Sequence, residues 1–351
     1  MKNTKQLDIN MIHSELINYS DTIDDLGIMN GKMGFAIYYY LMGRALGDSN
    51  LIKIAEKYID DICDSIIDLQ LVDFDSGLLG IGTGLEFLSQ KSFLNINTNK
   101  VLFDFDIRLL KYLTNNQKKS IDIDKGLIGY LIYILYRLKS NNSNNSNNIQ
   151  LELCNELCII IVNEIVENFE NDNYFVFNDA RFDSFSNLAF FIRLTTELIK
   201  LKQCSGQIGQ TVSQFILSRE NMYPSLSINR LHFATELIYF TEIYPNQNIV
   251  KYLESLLLMI DTRKIINEID VNNSGFRFGL SGLRNLLHRF KNSSYDSIEK
   301  SKLTTDLNLI TLPNNDFVID KKINENKLYG LSQGYISTLL YEFVCDEKKI
   351  F

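Results

Sequence analysis

Two hydrophobic patterns alternate along this chain. In "LIKIAEKYIDDICDSIIDL" (51–69), Ile52, Ala55, Ile59, Ile62 and Ile66 recur at helical spacing, and the charged residues Lys53, Glu56, Lys57, Asp60, Asp61 and Asp64 lie mostly off that stripe. This predicts an amphipathic helix with one face on a core. In "KGLIGYLIYILYRL" the apolar residues Leu127, Ile128, Leu131, Ile132, Ile134 and Leu135 cover every side. A helix apolar all round is buried all round. Only three prolines interrupt the chain, at 224, 245 and 313, so most of it is free to be helical. The best strand-like segment is "NYFVFND" (173–179).

The apolar helices share an opening. "NGKMGFAIYYYLMGRA" carries Gly31 and Gly34, "SGLLGIGTGLEFL" Gly77 and Gly80, "KGLIGYLIYILYRL" Gly126 and Gly129, and "FRFGLSGLRNLLHRF" Gly279 and Gly282. "LYGLSQGYISTLLYEF" has Gly334 with Ser337 in the second small position. Two degraded copies fill the middle, "SFSNLAFFIRL" with Phe185 and Leu188, and "NRLHFATELIYF" with Leu231 and Ala234. Seven units of about one period, each an all-apolar helix plus an amphipathic one, predict a closed ring. The expected fold is all-α: an α/α toroid of seven inner and seven outer helices, as a single domain over 1–351. The polar run "SNNSNNSNN" marks 139–149 as a flexible low-complexity loop. The glycines have two readings: they permit close packing, or they leave first-turn N–H groups open at a mouth that favours anions.

Charge and cysteine usage narrow the function. The net charge of −8 and the lack of a basic run argue against a nucleic-acid partner. Five cysteines (63, 154, 158, 204, 345) without framework spacing fit a reducing, cytoplasmic setting. No secretory leader is visible at the N-terminus, and no apolar run reaches the ~20 residues of a bilayer span, so no membrane insertion is expected.

The repeated glycine motif resembles that of the lanthionine synthetase C-like family, from about residue 27 to 343. That resemblance implies cyclases of ribosomally made peptides, which add cysteine thiols to dehydrated Ser or Thr. It implies a zinc ion held by two cysteines and a histidine, the positions of Asn229, Arg277 and Phe278 here. A further histidine common before the fourth repeat is Ser184. Arginine and phenylalanine do not ligate zinc, so no cofactor is expected. Cys154 and Cys158, at i, i+4, read as packing residues, and the lone histidines His13, His232 and His288 have no convincing Cys partner.

Candidate catalytic residues are Asp122, where the resemblance implies an active-site aspartate, with Arg277, Arg230 and His232. Asn30, Asp75, Ser76, Asp124, Lys125, Arg181, Asp183 and Gln333 are expected to line the mouth, with helix capping as the plainer role of Ser76 and Asp124. The leading expectation is a zinc-independent or degenerate member of peptide modification, binding a precursor peptide or a partner enzyme. A carbohydrate enzyme with two Asp carboxylates and a non-enzymatic scaffold remain open beside it.

Overall fold

A computed structural model describes residues 16–17, 22–115, 118–143, 148–171, 181–184, 186–202, 205–269, 277 and 279–309. Six of the apolar segments form inner helices: α1 (Lys32–Leu46), α3 (Leu78–Gln90), α5 (Leu127–Ser143), α7 (Asn187–Lys200), α9 (Ser227–Ile243) and α12 (Leu280–Asn292). The amphipathic segments between them form α2 (Ser49–Ser65), α4 (Thr98–Leu113), α6 (Asn148–Asn171), α8 (Ser205–Leu217), α10 (Gln247–Leu258) and α13 (Ile298–Asn308). A single-turn helix, α11 (Thr262–Ile265), precedes α12. Among the described residues there is no strand, and the expected strand at 173–179 lies outside them, as does the segment expected to form the seventh inner helix.

Each inner helix packs on the next, α1 on α3, α3 on α5, α5 on α7, α7 on α9 and α9 on α12. The first five also pack on the amphipathic helix that follows each, as α1 does on α2 and α5 on α6, whereas α13 packs on α10 and α11. The result is an α/α toroid. Burial follows the two patterns: Met33 to Gly43 of α1 is buried without a break, whereas α2 buries only Leu51, Ala55, Tyr58, Ile59 and Ile62. Cys154 and Cys158 are buried in the face of α6, as small apolar residues. The segment expected to loop over 139–149 is helical at both ends, since α5 runs to Ser143 and α6 starts at Asn148. Polar low complexity did not stop α5, because Leu138 and Ser140 are already buried against neighbouring helices.

One polar cluster is built into the wall. Arg137 of α5 is fully buried and donates to Glu86 of α3 (2.6 Å), to both oxygens of Asp106 of α4 (2.8 and 3.2 Å) and to Asn99 (3.0 Å). Tyr133 Oη completes it on Asp106 (2.6 Å). Burial pushes the Glu86 carboxyl up, against the pull of Arg137.

Candidate functional site at the mouth of the toroid

The glycine-led helix starts sit under folded loops. The carbonyl of Asp25 accepts from the Lys32 N–H (2.8 Å), that of Leu71 from Leu78 (2.9 Å) and that of Ser120 from Leu127 (2.9 Å). Leu26 and Ile121 do the same for Met33 and Ile128. Of the two readings of the glycines, close packing holds at these three starts and open first-turn N–H groups do not: the preceding loop caps them with its own carbonyls. This is what the small residues permit. A Cβ on Gly77 would stand 2.5 Å from the Asp73 carbonyl oxygen, and one on Gly80 or Gly129 would overlap the carbonyl of Phe74 or Ile123. At the fifth repeat the same role falls to a side chain, because Glu268 accepts from the Ile228 N–H (2.8 Å).

Each loop is held by an aspartate. Asp122 Oδ1 accepts from Lys125 N (2.7 Å), Asp73 Oδ1 from Ser76 N (3.1 Å) and Asp25 Oδ1 from Gly27 N (2.6 Å). Asp122 is thus one of three turn-forming carboxylates, equivalent to Asp73 in bonding the N–H three residues on, where Asp25 bonds the one two residues on. Asp73, missed in the sequence, was findable because it stands four residues ahead of Gly77, as Asp122 does ahead of Gly126; Asp25 stands six ahead of Gly31 and has no such signal. The N-cap residues are Gly31, Gly77 and Gly279, so Ser76 does not cap α3 with its side chain as expected.

The loops also bond one another. The Asp75 carbonyl accepts from Ile28 N (3.0 Å), and the Asp124 carbonyl accepts from Asp75 N (2.8 Å) and Phe74 N (3.0 Å). Across the ring, Arg277 O accepts from Ser184 N (2.7 Å). The Arg277 side chain then closes the cluster. Its Nη1 reaches both oxygens of Asp124 (3.2 and 3.1 Å), and its Nε reaches Asp183 Oδ2 (3.1 Å). Burial alone would disfavour the Arg277 charge, but Asp183 and Asp124 outweigh it and hold its pKa above the ordinary value. Asp75 lies in the field of the same cluster. Burial first, then Asp124, Asp25 and Asp73, push its carboxyl up to about 6, with Lys125 opposing.

The remaining candidates scatter. Arg230 points away from this cluster, its guanidinium donating to the carbonyls of Pro224 (2.6 Å), Met259 (2.7 Å) and Ser225 (3.0 Å), where it clamps two loops. Asn229 Nδ2 donates to Arg181 O (3.3 Å), joining the fifth repeat to the fourth, while its buried Oδ1 has no partner among the described residues. His232 is buried on α9 against the Phe182 ring, 3.6 Å from Glu236. Burial drives its pKa down to about 4 despite Glu236, so it is neutral at pH 7. Asn30 is half-buried, Lys125 and Arg181 are exposed, and Gln333, Phe278 and His13 lie outside the described residues. His288 is exposed beside Asn292. Among the described residues, no three His, Cys, Asp or Glu side chains group as a metal-ligand set. No helix among them is long and apolar enough to cross a membrane.

No protein-family model and no curated protein matches the chain. Seven chains of solved structures do match, among them nisin cyclase, with a TM-score of 0.58 and 14% identity over 96% of this chain and 93% of that one. At that identity the likeness is one of fold, and the fold is the α/α toroid that the repeats imply.

Proposed function

We propose that this chain is a lanthionine-synthetase-C-like protein that binds a peptide at the mouth of its toroid and works there without zinc. The observation that carries this reading is the Arg277 bridge. At the position where the resemblance implies a zinc-ligating cysteine stands a guanidinium, held by Asp124 and Asp183. A fixed cation occupies the place of the metal charge and repels a dication. The amide of Asn229, engaged with the Arg181 carbonyl, is a poor substitute for a thiolate. These residues do not fit a zinc ion.

The mouth keeps what peptide binding needs. Arg277, with a planar fork of donors, is able to exchange an aspartate contact for a peptide carbonyl or carboxylate. Asp75, titrating at about 6, changes charge near neutrality and is placed to accept or return a proton from a bound peptide. The carbohydrate reading has less support. Of the four mouth aspartates able to supply its pair, Asp75, Asp122, Asp124 and Asp183, Asp124 and Asp183 are paired with Arg277 and Asp122 holds a turn, which leaves Asp75 without a partner carboxylate in a catalytic role.

The test combines metal analysis with binding of labelled, unstructured peptides carrying Ser, Thr and Cys. The expected outcome is zinc well below one per chain, and binding that Arg277→Ala weakens at least tenfold. Stoichiometric zinc would overturn the zinc-independent reading, and no binding by any such peptide would overturn the peptide reading.

A further inference from the structure

Below the mouth loops the inner helices line an open cavity of about 560 Å³, within the usual range for a small-molecule site. Its roof is apolar, made by Ile28, Met29, Phe74 and Ile123 of the loops. Its lining at the far end, toward the C-terminal ends of the inner helices and partly open to solvent, is ionic, with four cations, Lys139, Arg193, Lys200 and Arg289, against two carboxylates, Glu197 and Glu236. In a chain of net charge −8, this is a local excess of positive charge.

Three of those cations are matched. Lys200 and Lys139 stand 2.7 and 3.7 Å from Glu197, and Arg289 grips Glu236 with both terminal nitrogens, Nη2 at 2.8 Å. Arg193 is not matched. Among the described residues it has neither a hydrogen bond nor an ion pair, only the Phe190 ring 5.9 Å from its guanidinium carbon. Burial, then the neighbouring Arg289, lower its pKa against the pull of Glu236 and Glu197. An unpaired cation in such a place costs stability, and an anion brought from outside would relieve it.

We propose that this cavity binds an amphipathic carboxylate, its head on the Arg193 guanidinium and its apolar body against Ile132, Phe190 and Leu194. The guanidinium fork matches a planar carboxylate, and the apolar wall excludes a ligand that is polar throughout. The chemistry has two sources, a free alkyl acid or the C-terminal carboxylate of a peptide ending in apolar residues. The proposal stands independently of what the mouth binds.

Calorimetric titration of the full chain with octanoate, octanol, N-acetyl-Leu-Leu and its amide tests it. Octanoate is expected to bind at least tenfold tighter than octanol and to raise Tm where octanol does not. Preference for the free dipeptide over both its amide and octanoate assigns the peptide terminus; the reverse order assigns the alkyl acid. Arg193→Gln is expected to lower carboxylate affinity at least tenfold while leaving the Tm of the free protein unchanged or higher. Equal binding of octanoate and octanol, binding of no probe by the wild type, or unaltered octanoate affinity in Arg193→Gln would each overturn the proposal.

Discussion

Arg277 and Asp124 are 153 residues apart in the chain, yet both oxygens of the Asp124 carboxylate accept from one guanidinium nitrogen of Arg277. With Asp183 on the Nε side, one arginine ties the sixth repeat to the third and fourth. The mouth is thus held by an ion-pair bridge as well as by backbone.

Removing that cation leaves Asp124 and Asp183 facing each other beside Asp75. Arg277→Ala is expected to cost on the order of 1–3 kcal/mol, between the values for exposed and for buried pairs. Arg277→Lys restores only part, because an ammonium lacks the fork. Urea denaturation measures both. Adding Asp124→Asn and Asp183→Asn to Arg277→Ala should recover most of the loss; no recovery would mean the arginine acts through packing alone.

Asp75 sets a pH dependence of its own. Its folded pKa, about 6, lies above the ordinary aspartate value of 3.8, so folding takes up a proton between them. The stability it contributes is full below about pH 4 and is lost as pH rises through about 6. Asp75→Asn should remove this slope and raise Tm at pH 7. A carboxyl signal titrating near 4 by NMR would exclude the shifted value.

His232 works in the opposite direction. Its folded pKa of about 4 lies below the ordinary histidine value of 6.5, so the unfolded chain takes the proton first. Stability falls as pH drops below about 6.5, by up to about 1.4 kcal/mol per unit until about pH 4. Because Asp75 opposes this over the same range, the slope is best measured in the Asp75→Asn background. There His232→Asn should flatten it.

The Arg137 cluster predicts a severe single-site defect. Arg137→Ala strands Glu86 and Asp106 in the wall, at a cost of about 3–5 kcal/mol. Arg137→Met combined with Glu86→Gln and Asp106→Asn should regain a large part by discharging the site. Denaturant midpoints for the single and triple variants check this; equal losses would show that the charges are not the cause.

Two glycine substitutions should differ in sign. Gly129→Ala drives a Cβ into the Ile123 carbonyl and the Phe74 side chain, and is expected to destabilise by more than about 1–3 kcal/mol. Gly206, in the first turn of α8, faces open space, so Gly206→Ala should stabilise by about 0.4–1 kcal/mol. Thermal melts of the pair give the comparison directly.

The architecture was legible in the sequence because burial on a helix is periodic and local. Residues 33–43 run apolar because α1 is walled on all sides, and the stripe of α2 marks its single buried face. The recurring small pair located the helix starts for the same reason: a clash with the loop six residues earlier is a short-range constraint, repeated in each unit. Side-chain partnerships across the ring were not legible. Nothing local separates Asp122, which holds its own turn, from Asp124, which pairs with Arg277, although they are two positions apart. Arg230 and Arg277 looked alike before their repeats, and only packing turned one onto loop carbonyls and the other onto two carboxylates. Arg137, Arg193 and Arg289 sit in helices whose period announces burial but not a partner. Which charge meets which, and that Arg193 meets none among the described residues, depends on chain segments brought together by closure of the ring, and only the tertiary structure decides it.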